Sequence, residues 1–342
     1  MTQTNAPAKS MILGCLGQRL TADEKAFYRD EQPWGFILFG RNIGEAAQIK
    51  DLVAEMRETV GGRNAPVLID QEGGRVQRIR DPIAPRYPSG AMIGELYRAD
   101  AEKGLRAAWL LSRLHAFDLY RLGINVDCLP VLDVPVEGAS DVIGSRAYGK
   151  QPAIVTDMGR AAAAGLKAGG VLPVMKHIPG HGRGCADSHH ALPIVDTPLA
   201  ELMAHDFPPF KALAGELMAM TAHVVYTAID PASPATTSRK VIEEIIRGEI
   251  GFDGLLMSDD SSMNALAGTL GERARAIAGN GCDIVLHCNG RMDEMLQVVA
   301  EAKPLEGRAL ERARRVEASF GSLDGLQESA VRTEFNSLLP MV

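Results

Sequence analysis

Eight short, almost unbroken apolar runs recur along the chain, at residues 11–16, 35–39, 66–70, 124–129, 172–176, 217–222, 254–258 and 283–287. Runs of this length without polar alternation are expected of parallel strands buried on both faces. Amphipathic stretches separate them. Residues 45–60 put Ile49, Leu52, Val53, Met56 and Val60 on one helical face. Thr21 with Glu24 three residues on reads as a capping box that opens a first helix. Residues 156–169, 199–213, 240–249, 271–279 and 292–302 read as further helices, and the glycine pairs at 61–62 and 169–170 as helix stops. Eight strands, each followed by a helix or long loop, predict an α/β chain folded as a single (β/α)8 TIM-type barrel. A doubly wound open sheet is the rival. It usually carries a glycine-rich phosphate loop after its first strand, and Gly14-Cys15-Leu16-Gly17 is a poor match.

At 342 residues, with no repeat or linker-like stretch, the chain reads as one domain over 1–342, with residues after about 304 as a closing helix and tail. The formal net charge of −7 and the lack of a basic run argue against nucleic acid or an anionic membrane as partner. Five cysteines (Cys15, Cys128, Cys185, Cys282 and Cys288) form no Cys-x-x-Cys pair and fit free thiols in a reducing compartment. With no apolar run long enough to span a bilayer, a cytoplasmic location is expected.

In a barrel, chemistry gathers at the C-terminal ends of strands. The third run delivers Asp70-Gln71-Glu72-Gly73-Gly74-Arg75 and then Arg78: a carboxylate, a tight glycine turn and guanidinium groups able to grip a polar ligand. Arg146, in the loop after the fourth run, offers a third cation. The fifth run ends in Lys176-His177-Ile178-Pro179-Gly180-His181-Gly182, followed by Asp187-Ser188-His189-His190. From these residues alone two readings stay open. One is a metal site; the other is a loop in which Asp187 orients His189 as general acid–base. Pro179 and Gly180 make the His177/His181 spacing awkward for helical metal ligands. The seventh run delivers Ser258-Asp259-Asp260. Successive side chains alternate in an extended chain, so one aspartate should face the barrel mouth and the other pack or cap. Asp260 suits the capping role better. His115, His205, His223 and His287 read as structural.

Together, Ile69-Asp70-Gln71-Glu72-Gly73-Gly74-Arg75-Val76-Gln77-Arg78, the run 142–149 (VIGSRAYG), the run 176–182 (KHIPGHG), Asp187-Ser188-His189 and Ser258-Asp259-Asp260 resemble glycoside hydrolase family 3. The likeness is to its bacterial β-N-acetylglucosaminidases of peptidoglycan recycling, and the motifs fall in the family's order. The resemblance implies a retaining exo-glycosidase with Asp259 as nucleophile, His189 as acid–base and Asp187 as its dyad partner. It places Asp70, Arg78, Arg146, Lys176 and His177 around the terminal N-acetylglucosamine. It implies no cofactor or metal, and as partner a small-molecule substrate: a muropeptide or a GlcNAc-containing disaccharide such as GlcNAc-anhydroMurNAc. The sequence leaves the oligomeric state open, with a monomer plausible. Ile178 and Ser261 depart from the family pattern beside catalytic positions. Alternatives are phosphorolysis of the same sugar bond, or a metal-dependent amidohydrolase-like barrel using His177, His181, His189 and Asp259.

Overall fold

A computed structural model of the chain describes residues 7–184, 192–321 and 323–339. In chain order the strands are β1 Lys9–Leu13, β2 Pro33–Leu38, β3 Val67–Ile69, β4 Gln71–Gly73, β5 Val76–Gln77, β6 Val126–Asp127, β7 Leu172–Pro173, β8 Met175–Ile178, β9 Ile194–Val195, β10 Met218–Thr221, β11 Val225–Tyr226, β12 Leu255–Met257 and β13 Val285–His287. Each of the eight expected runs overlaps a strand. One six-stranded parallel sheet has the order β13-β1-β2-β3-β6-β7, and a three-stranded parallel sheet has the order β12-β10-β8. The chain passes from β7 to β8 through Val174 alone, and Met257 bridges in parallel to Ile284 just before β13. The hydrogen bonding therefore describes an α/β fold with two abutting parallel sheets rather than one closed sheet.

The unbroken hydrophobicity of the runs has the expected cause, since both faces of the strands are covered. Ile12, Ile37, Leu68, Val126, Leu172, Val174, Met218, Met220, Leu255, Met257 and Leu286 form one inner cluster. Their alternates, among them Met11, Leu13, Phe36, Leu38, Val67 and Ile69, pack outward with the helices. One end of the inner cluster is closed by helix 307–317, which inserts Ala313 and Val316, while Trp34 donates to Glu317 Oε1 at 2.9 Å.

Helix α1 Ala22–Glu31 opens with the Thr21/Glu24 capping box. Helix α2 Ala46–Thr59 buries Ile49, Leu52, Val53 and Met56, as periodicity predicts. The sequence reading missed α3 Gly90–Ala99 and the 20-residue α4 Ala101–Tyr120. In α4 buried residues run almost continuously from Ala107 to Leu119, because α5 Pro152–Ala168 and the last helix, Glu328–Leu338, pack on it. Burial from more than one side erases the amphipathic stripe that betrays a helix. The expected helix over 199–213 is two, Leu199–His205 and Pro208–Ala212, with the break before Pro208. Residues Val241–Glu249 are helical with π-type hydrogen bonding. No helix of the described residues is long and apolar enough to cross a membrane.

Candidate active site

The two-residue period of the strands builds the site. Continuing each inner face one step takes Ile37 to Phe39, Leu68 to Asp70, Met257 to Asp259 and Leu286 to Cys288 just past their strands, and Val174 to Lys176 inside β8. These five residues, with Arg78, Arg146, His177 and His181, line one pocket.

Its cationic side is a linked set of ion pairs. Lys176 Nζ donates to Asp70 Oδ1 at 2.9 Å and lies 2.6 Å from Glu72 Oε1. Arg78 Nη2 donates to Asp70 Oδ2 at 2.9 Å. Arg146 binds Glu72 with both arms of its fork, Nε to Oε2 at 2.9 Å and Nη2 to Oε1 at 2.8 Å. Burial opposes ionisation of Asp70 and Glu72, but the facing cations outweigh it. Asp70 is held well below the usual carboxylate range by Lys176 and Arg78. Glu72 falls from 4.5 to about 2 through Arg146 and Lys176. Burial likewise works against the charge on Lys176, and Asp70 and Glu72 reverse that effect and raise its pKa. Each Asp70 oxygen holds one donor here, which leaves acceptor capacity on both for vicinal hydroxyls. Arg78 Nε is buried and has no hydrogen-bond partner among the described residues.

The Asp70–Arg78 turn is set by the antiparallel hairpin β4/β5. Gly73 and Gly74 both have positive φ, and a Cβ on Gly73 would collide with the Pro88 carbonyl. This is the tight turn expected of the glycine pair. Gln71 Oε1 accepts from the Arg78 and Ile79 amides at 3.1 and 3.0 Å, fastening the far end.

Across the pocket, Asp259 and Asp260 divide their work as alternation requires. Asp260 Oδ1 accepts from the Ser262 and Cys288 amides at 3.0 and 3.1 Å, and its Oδ2 from Ser262 Oγ at 2.6 Å. It is a turn cap. Among the described residues, the Asp259 carboxylate accepts one hydrogen bond, from the Asp260 amide to Oδ1 at 2.8 Å. Burial raises the Asp259 pKa, but His223, His177 and the Asp260 amide more than offset this and hold it below the usual range. An ionised carboxylate with an unengaged oxygen facing a pocket is suited to nucleophilic attack.

His177 and His181 also reach the pocket. His177 Nδ1 lies 2.7 Å from Asp133 Oδ2, and the His181 ring packs edge-on against it at 5.8 Å. Burial pushes the His181 pKa down to about 4. His223 is buried and structural: its Nε2 donates to the Asp260 carbonyl at 3.0 Å and Nδ1 meets Thr236 Oγ1 at 2.7 Å. His287 is tied to Ser261 and Asn289, and His115 is wholly buried on α4. Among the described residues no three His, Cys, Asp or Glu side chains are grouped to hold a metal ion. Asp187, His189 and His190 lie outside the described residues.

The model of the glycosyl hydrolase family 3 N terminal domain matches residues 8–318. The chain belongs to glycosyl hydrolase family 3. It is thus a glycoside hydrolase, as the motifs imply. A beta-hexosaminidase from Bordetella parapertussis is 37% identical over 331 residues, covering 94% of this chain and 92% of that one. One from Chromobacterium violaceum is 37% identical over 316 residues, covering 91% and 87%. Among solved structures, NagZ from Neisseria gonorrhoeae in complex with N-trifluoroacetyl-D-glucosamine superposes with a TM-score of 0.86 at 34% identity, covering 98% of this chain and 97% of that one.

Within this family 3 chain, the structure brings Asp70, Arg78, Arg146, Lys176, His177 and Asp259 to one pocket. Sequence reasoning missed two carboxylates that hold them, Glu72 and Asp133. Asp133 had a legible signal, a lone charge inside the apolar run Val131-Leu132-Asp133-Val134. Such a charge is buried only when it is paired. Glu72 lay inside a motif already singled out, but its two partners, Arg146 in a loop and Lys176 in β8, come from far along the chain.

Proposed function

We propose that the chain is a retaining exo-β-N-acetylglucosaminidase acting on terminal β-linked N-acetylglucosamine of peptidoglycan turnover fragments, GlcNAc-anhydroMurNAc with or without its peptide, in the cytoplasm. The observation that carries this reading is the opposition of the ionised Asp259 to the Asp70/Arg78/Lys176 cluster across a single pocket. A carboxylate flanked by a lysine and an arginine binds adjacent hydroxyls of a pyranose, and this orients the anomeric carbon towards Asp259. Likeness to a NagZ holding N-trifluoroacetyl-D-glucosamine supports N-acetylglucosamine as the sugar bound. In this reading the two abutting sheets act as one closed (β/α)8 barrel, and residues 1–342 form one catalytic unit.

In the first half-reaction an Asp259 oxygen bonds to the anomeric carbon while the glycosidic C–O bond breaks, and His189 gives its proton to the departing oxygen. Water then attacks the same carbon from the side the leaving group vacated, passing a proton back to His189 and releasing Asp259. Two inversions retain the β configuration. Asp187 orients the imidazole. A histidine titrates near neutral pH, so one group serves as acid and then as base without special burial. The test compares turnover of a chromogenic β-N-acetylglucosaminide with that of the matching β-glucoside, with product stereochemistry followed by NMR. Preference for the glucoside, or an α product, would overturn the reading. Release of a sugar phosphate only when phosphate is present would replace hydrolysis by phosphorolysis.

A further inference from the structure

Asp133 does not line the pocket; it lies behind it, fully buried. The segment around it runs beside β8: the Leu132 amide donates to the Lys176 carbonyl at 2.7 Å, and the Lys176 amide to the Pro130 carbonyl at 3.0 Å. This register delivers the carboxylate to the back of His177. Its Oδ1 accepts from two backbone amides, His177 at 3.2 Å and His181 at 2.6 Å. Its Oδ2 lies 2.7 Å from His177 Nδ1. The second imidazole nitrogen, Nε2, belongs to a ring that lines the pocket, and it makes no hydrogen bond among the described residues.

We propose that Asp133 is a positioning residue that fixes the proton of His177 on Nδ1, making Nε2 the atom presented to the sugar. The argument rests on acceptor arithmetic. An ionised carboxylate has no proton to give, so at 2.7 Å the hydrogen between Oδ2 and Nδ1 must sit on the nitrogen. Asp133 cannot rotate out of this role, because the two backbone amides hold Oδ1. Burial pushes its pKa up, but His177, with the amide of His181, holds it at about 2, so it is an anion near neutral pH. The groups around the ring are Asp133 behind it, Lys176 preceding it in β8, His181 edge-on, and Asp259 across the pocket. While the ring is neutral, Nε2 offers a lone pair to a sugar hydroxyl. A carboxylate behind a histidine selects the tautomer in the same way in Ser–His–Asp triads.

The link to sugar binding rests on the function proposed above, whereas the tautomer itself does not, and the experiment separates them. Imidazole-15N spectra are recorded on the resting enzyme, with the His177 signals identified by their loss in His177→Gln. Nδ1 should carry a proton, and in the neutral ring Nε2 should carry the lone pair. In Asp133→Asn the amide oxygen stays with the two backbone amides and its NH2 faces Nδ1, so the proton should move to Nε2. With the wrong polarity facing the substrate, kcat/KM should fall about 10- to 100-fold while the far-UV spectrum is unchanged. A wild-type ring with its lone pair on Nδ1 overturns the proposal, and this measurement holds even if the variant fails to fold. A reversed tautomer with unchanged kcat/KM would overturn the role in sugar binding alone.

Discussion

Glu72→Gln tests whether the ion-pair cluster behind the pocket is worth what its geometry implies. Glu72 is 6% exposed and holds Lys176, which is 1% exposed, together with both arms of Arg146. Glutamine keeps the shape but leaves the buried Lys176 and the largely buried Arg146 short of one negative charge. The drop in the Glu72 pKa from 4.5 to about 2 corresponds, at about 1.36 kcal/mol per unit, to roughly 3 kcal/mol of preference for the ionised form in the folded state. Removing one partner of a buried ion pair costs about 3–5 kcal/mol by a separate route. Both routes point to a loss of roughly 3 kcal/mol at pH 7, read from urea unfolding followed by circular dichroism. The pH dependence carries the sign. A depressed carboxyl pKa contributes stability that is complete above the unfolded value near 4.5 and is lost as the pH falls through about 2. The gap between the two proteins should therefore be full at pH 7, begin to close below pH 4.5 and be less than half its size at pH 3. A loss below about 1 kcal/mol at pH 7, as for an exposed pair, would refute the reasoning. So would a gap that does not change with pH.

Asp259→Ala should abolish turnover while leaving thermal stability and product-sugar binding nearly intact, because the carboxylate makes one local hydrogen bond among the described residues; a mechanism-based fluorosugar should label Asp259 by mass spectrometry, and label on Asp260 would reverse the assignment of the two aspartates. His189→Ala should lose activity towards 10⁴-fold on natural disaccharides, the upper range for a general acid, and clearly less on nitrophenyl glycosides. Azide should restore turnover of the latter as a β-glycosyl azide; equal losses on both substrates without rescue would move the acid–base role elsewhere.

Much of the fold was legible because it depends on short-range periodicity. Strands buried on both faces must be apolar throughout, so the eight runs stood out. The Thr21/Glu24 box and the Gly73-Gly74 turn act within a few residues and were equally visible. Helix α4 was not, since α5 and the last helix bury it from more than one side.

The sequence by itself determined which residues could share a face. A period of two along the apolar runs puts Asp70, Lys176 and Asp259 on the inner side and leaves Asp260 to a capping role. It also determined the family, through motifs whose residue types are dictated by sugar chemistry. Only the tertiary structure decided which charges meet. Glu72 pairs with Arg146 74 positions away, Asp70 with Lys176 106 away, and Asp133 with His177 44 away. No local rule links such positions, because their pairing follows from the order in which strands lie side by side. The depressed pKa values of Asp70, Glu72 and Asp259 follow largely from it too: burial alone would raise them, and most groups that reverse the sign, Lys176, Arg146, His177 and His223, arrive from other strands and loops.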